Sequence, residues 1–173
     1  MQRCDWLINS NVRLLTQGLD LLERLDDASY SNANAALSLN AACSHFRHCI
    51  DFYNCFLETI ETGKINYDLR PRNNAVERDR KLAIAEIGKI IEEIGMLSLA
   101  DGQKEVHVVL EGTTTGAASA WSRSSVMREL QSLLSHTIHH YALIALSLRL
   151  QGVEPGKGFG VAPSTLEYWG RTG

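Results

Sequence analysis

Proline is scarce in this chain, and where its three copies fall decides what the rest can fold into. Pro71, Pro155 and Pro163 leave long stretches in which nothing removes a backbone donor or clashes with the preceding turn. Those stretches carry apolar residues at three- and four-residue spacing, the mark of amphipathic helices. The first predicted helix covers about residues 2 to 27, with Ile8, Leu15, Leu22 and Leu25 on one seam and Leu7, Leu14 and Leu21 beside it. Asp26, Asp27 and Ser29 end it and offer caps for the next. The second covers about 31 to 62, with Leu39, Cys43, Phe46, Ile50, Tyr53, Leu57 and Ile60 on one seam and Ala41, His45, His48, Phe52 and Cys55 on another. Gly63 stands where a left-handed cap is expected.

Residues 64 to 73 read as a connection, and a third helix is expected over about 74 to 97, burying Ala83, Ile87, Ile90, Ile94 and Leu97. The stretch 98 to 120 differs: Asp101-Gly102 signals a turn, and Val106, Val108 and Leu110 alternate with His107 and Val109. It predicts a short strand or hairpin and then the small-residue loop TTTGAASA, leading into a last helix over about 121 to 151. The Gly- and Pro-containing tail carries Phe159, Leu166, Tyr168 and Trp169, expected to pack across the helices because aromatics are costly to leave in water. The fold class expected is therefore all-α: a four-helix bundle with a short strand or hairpin insertion before the last helix, forming one domain over residues 1–173.

Composition narrows the function classes. The chain has 173 residues, 45% hydrophobic and 21% charged, the balance of a soluble globular protein. A net charge of −3 argues against a nucleic-acid footprint. No run nears the roughly 20 apolar residues that span a bilayer. The opening MQRCDWLINSNVRLL lacks the apolar centre of an export signal, so a cytoplasmic location is expected. Cys4, Cys43, Cys49 and Cys55 crowd into the first third without a C-x-x-C pair, which excludes a zinc knuckle and fits buried free thiols.

The histidines carry the chemistry. In SHTIHHYALI, His136 and His140 are four residues apart, hence about 40° apart around a helix and about 6 Å along it. Both rings can reach one point in space, as in helical metal sites. Their seam continues through Leu133, Leu143 and Ser147, whereas His139 points about 60° away from His136, as a rim group. A third ligand is available from helix two, where His45 and His48 are one turn apart. Three imidazoles leave open positions on a divalent ion, the catalytic rather than the structural pattern. Buried histidines that hydrogen-bond to one another without a metal would produce the same seam. His107 has no part in either reading.

With His48 in RHCIDFY followed three residues later by Asp51, and HxxxH in SHTIHHY, the chain resembles the DinB/YfiT-like superfamily of metal-binding bundles over about residues 5 to 150. The resemblance implies up-down-down-up connectivity and a divalent metal, usually zinc or nickel, held by His48, His136 and His140. Members it resembles include thiol-dependent transferases and isomerases, so a metal-dependent thiol transferase or hydrolase is expected, with a low-molecular-weight thiol and a small electrophile as partners. His45, at i−3 to His48, departs from the pattern and either replaces or supplements it.

A metal so held lowers the pKa of a bound water or thiol. No general base stands out. Asp51 either orients an imidazole or accepts a proton, or is a solvated carboxylate; Tyr53 and Tyr141 read as core aromatics. Arg70, Arg72, Arg78, Arg80 and Lys81, offset by Asp68, Glu77 and Asp79, either dock an anionic cosubstrate or form a solvated mixed-charge loop. Two alternatives remain: a non-catalytic bundle with structural histidines, and an interaction module that forms a homodimer through a helix face such as that of helix one.

Overall fold

The computed structural model describes residues 3–33, 41–98, 103–109 and 121–172. Leu39, the Asp101-Gly102 turn, Leu110 and the TTTGAASA loop lie outside the described residues. Helix α1 (Arg3–Arg24) buries Leu7, Leu14, Leu15, Leu21 and Leu22, both of its predicted seams. It ends where Asp26 turns extended and accepts a hydrogen bond from the Ser29 N–H at 2.7 Å, capping the short α2 (Asp27–Ser31). Helix α3 (Ala42–Thr59) buries Cys43, Phe46, Ile50 and Tyr53 and leaves Leu57 half-buried. It tightens into a 3-10 turn that stops at Gly63, whose φ of 71° is the left-handed cap expected there.

The third predicted helix is two helices. Asp79 lies between α4 (Asn74–Arg78) and α5 (Arg80–Gly95) with φ −134° and ψ 102°. Its carboxylate accepts from the N–H groups of Lys81 and Leu82, so it starts one helix while its own N–H closes the last. Ala83, Ile87, Ile90 and Ile94 are buried as expected, and Leu97 is half-buried.

The last long helix, α6 (Val126–Leu150), begins later than the periodicity suggests. Ser122–Ser125 instead form a strand, and Ser125 caps the helix by accepting from the Arg128 N–H. A three-stranded sheet results, also using three residues expected in a connection. The strands β1 (Lys64–Asn66) and β2 (Glu105–Val109) pair in parallel, with Ile65 opposite Val108. The strand β3 (Ser122–Ser125) pairs with β2 antiparallel, with Val106 opposite Ser124. Ile65 and Val106 belong to the core and Val108 packs against it, so the sheet lids one region of it.

One hydrophobic cluster runs through α1, α3, α5 and α6. Helix α1 packs on α5 and α6, and α3 packs on the same two. The protein is thus mostly helical with a small sheet. No described helix is long and apolar enough to cross a membrane. The tail departs from expectation in two respects. Residues Pro163–Thr172 form a helix, α7, and Tyr168 and Trp169 are exposed. Phe159 alone among the tail aromatics is buried, stacked 4.8 Å from Tyr141. Gly160 makes that approach feasible: a Cβ there would lie 2.6 Å from the Tyr141 carbonyl carbon and the Ala142 nitrogen.

Candidate metal centre

Helices α3 and α6 pack along one another, and their histidine seams face across the contact. His48 Nε2 lies 3.1 Å from His136 Nε2, and His140 Nε2 lies 2.8 Å from the same atom. The i,i+4 spacing brings the α6 pair together, and the α3–α6 packing adds the third ring. One ligating nitrogen from each of His48, His136 and His140 lies within 4.8 Å of the other two. Ligands bonded at about 2.0–2.1 Å in tetrahedral geometry stand roughly 3.3 Å apart, and the two His136 separations of 3.1 and 2.8 Å are near that value.

His45 meets the α6 pair from the other side. Its Nδ1 lies 2.9 Å from His140 Nδ1, the nitrogen facing away from the cluster. A ligand histidine is typically held through its second nitrogen, which fixes tautomer and ring orientation. His45 is not one of the three histidines whose nitrogens converge. His139 is exposed beside His140, with ring centroids 5.3 Å apart, as a rim group should be. His107 lies on β2, away from the cluster.

Burial and neighbouring groups keep His45, His48 and His140 neutral. Burial, then the neighbouring His136 and Arg70, pushes His48 down to about 3. Burial, then His48 and His136, does the same for His140, also to about 3. Burial lowers His45 as well. Neutral imidazole is the form that binds a metal, so the donor set fits a divalent ion. Arg70 is the feature that opposes it. Its Nη2 lies 3.3 Å from His48 Nδ1, placing a cation against the ligand cluster.

Asp51 fits neither sequence alternative. It is 3% exposed, paired with Arg47 at 2.9 Å, and accepts from the Asn73 N–H at 3.2 Å. It anchors the Arg70–Asn73 segment to α3 rather than orienting an imidazole. Arg47 also reaches Glu77, at 2.8 Å. The basic run divides: Arg80 pairs with Asp27 and donates to the Leu22 carbonyl, and Arg72, Arg78 and Lys81 are exposed. Only Arg70 joins the site. Tyr53 and Tyr141 are core aromatics as expected, Tyr53 donating to Asn11 Oδ1 at 2.7 Å. Cys43, Cys49 and Cys55 are buried free thiols.

Beside His48 and His136 opens a cavity of about 370 Å³, walled by Phe52, Tyr67, Arg70 and Leu133. Tyr67 stacks on Phe52 at 5.1 Å and donates to buried Glu129 at 3.1 Å. Glu129 also accepts from Ser124, tying the sheet to α6. Neither Tyr67 nor Glu129 was anticipated. The one available signal was an acid on the inward stripe that joins Val126, Leu130 and Leu133.

No family model matches the chain. FK506-binding protein 5 of Rhizopus delemar is 40% identical to it over 110 residues, 60% of this chain and 27% of that protein. The match thus spans about a quarter of that relative, and most of the protein bearing that name lies outside it.

Proposed function

We propose that the chain is a metal-binding helical bundle of the DinB/YfiT type, holding a divalent ion on His48, His136 and His140. The observation that carries the proposal is the convergence of three imidazole nitrogens from two helices within 4.8 Å. Zinc and nickel both suit imidazole. The strand pairing fits down-down-up for the last three long helices, since β1 follows α3, the parallel β2 follows α5, and the antiparallel β3 enters α6. When bound, the ion supplies Lewis acidity that activates a thiol or water. The residues of the chain supply the rest: His45 orients His140, and Phe52, Tyr67 and Leu133 form an apolar wall that limits solvent. The activity best matched to this arrangement is transfer of a small thiol to a small electrophile, or hydrolysis.

One observation favours a second reading, a histidine network without metal or catalysis. Arginine only donates, so Arg70 Nη2 facing His48 Nδ1 puts the His48 proton on Nε2, pointing at His136. Metal analysis of protein purified without a nickel column separates the two. The metal reading expects about one divalent ion per chain, with His136→Ala and His140→Ala each losing it. Full occupancy in both variants would refute the site, and turnover of electrophiles with added thiols separates catalyst from scaffold.

A further inference from the structure

The guanidinium of Arg70 is held in place yet short of acceptors. Its Nη1 donates to the Tyr67 carbonyl at 2.6 Å, and its Cζ sits 4.2 Å from the centre of the Phe52 ring. These contacts fix a plane against the cavity wall. A guanidinium carries five N–H donors. Among the described residues, two of its nitrogens meet an acceptor, Nη1 on Tyr67 and Nη2 on His48, and the buried Nε has no partner. Among the described residues no carboxylate lies within ion-pair distance of Arg70. Asp51, whose charge acts on Arg70 from a distance, is taken by Arg47 and the Asn73 N–H. Asp68 also lines the cavity and is exposed.

A half-buried cation with no carboxylate in direct contact among the described residues, beside an open cavity, is suited to receive an anion. We infer that Arg70 is the anchor of a subsite for a small carboxylate, whose apolar body lies along Phe52, Tyr67 and Leu133. A cavity of about 370 Å³ suits a molecule of roughly ten heavy atoms. The inference rests on the metal reading in one respect. An imidazole that ligates through Nε2 carries its proton on Nδ1, so in that state His48 no longer accepts from Arg70. The guanidinium then needs the carboxylate more, and the anion offsets the charge that Arg70 adds beside the ion.

Benzoate is the probe, with benzamide as its neutral counterpart, both titrated by NMR into the full chain after EDTA treatment. The subsite predicts that benzoate binds at least tenfold more tightly than benzamide and shifts the Arg70 Nε–H resonance. Arg70→Gln should erase that preference, bringing benzoate affinity down to that of benzamide. Equal affinity of the wild-type chain for the two, no benzoate binding, or an unchanged preference in Arg70→Gln would overturn the inference. The comparison on the wild-type chain stands whether or not the variant folds. Cobalt(II) titration of the same samples reads the metal site separately: benzoate selectivity without cobalt uptake sinks the metal reading and keeps the anion subsite, and cobalt uptake without selectivity does the reverse.

Discussion

Gly18, in the middle of α1, is where helix propensity and packing make opposite demands. By propensity alone, Gly18→Ala should stabilise the protein by about 1 kcal/mol. The tertiary structure forbids this, because a methyl group there would lie 2.0 Å from Tyr141 Oη, 2.7 Å from its Cζ and 3.3 Å from Phe46 Cε1. Ordinary contact at 3.4 Å or more requires the ring or the helix to move by about 1.4 Å. The ring has little room, with Phe159 stacked at 4.8 Å and Phe46 tilted at 5.7 Å. Overpacking on this scale costs about 3 kcal/mol, the upper end of its usual range. The net is a loss of about 2 kcal/mol, or a fall in Tm of about 4–8 °C for a domain this size. Tyr141→Phe supplies the control. The buried Tyr141 hydroxyl has no partner, so removing it should be neutral or stabilising by about 1 kcal/mol. In the double variant the closest contact becomes 2.7 Å, which about halves the movement needed. A coupling of about 1 kcal/mol should appear in a double-mutant cycle by urea unfolding. If Gly18→Ala is more stable than wild type, or the two changes simply add, the packing described for this contact is wrong.

Asp51→Ala should cost about 2–3 kcal/mol, below the usual loss for breaking a buried pair because Arg47 keeps Glu77, and urea unfolding within 0.5 kcal/mol of wild type would contradict it. The pH dependence of metal-free protein follows from His48 and His140, whose folded values near 3 lie below the ordinary 6.5. Above 6.5 both states are neutral there; as pH falls from 6.5 toward 3 the unfolded chain takes up protons that the folded one refuses, so stability declines across that window. The urea midpoint should drop between pH 7 and pH 5, and replacing both histidines with Gln should flatten the drop; an unchanged slope would refute the assignment. Burial pushes the Cys49 thiol up to about 12 and Cys55 up to about 11. Alkylation by iodoacetamide at pH 8, read by peptide mass, should therefore be at least tenfold slower in the native protein than in urea at both positions, and equal rates would show that neither is protected.

Much of the scaffold was legible because a helix buries one side of itself. The spacing of Leu7, Leu14 and Leu21, and of Ala83, Ile87, Ile90 and Ile94, already states which face meets the core. The same local geometry paired His136 with His140. What periodicity could not show was where polar side chains override it. Asp79 splits a helix by capping its second half, and Ser122–Ser125 join a sheet because β2 offers unpaired backbone alongside. Tyr168 and Trp169 were misjudged because composition says only that burial is favourable, not that a surface exists to receive them.

The sequence by itself determined four long helices, the inward histidine seams and the i,i+4 pair, since each depends on residues within a few turns of one helix. Only the tertiary structure decided which histidine of α3 meets that pair. His45 and His48 are equivalent in local spacing, and the packing of α3 on α6 sends one to the far nitrogen of His140 and the other to His136. It likewise chose Arg70 from five basic residues, because Tyr67, Phe52 and the Asp51-anchored segment hold that guanidinium alone against the cavity. Such selections depend on contacts between residues far apart in the chain, which no local pattern encodes.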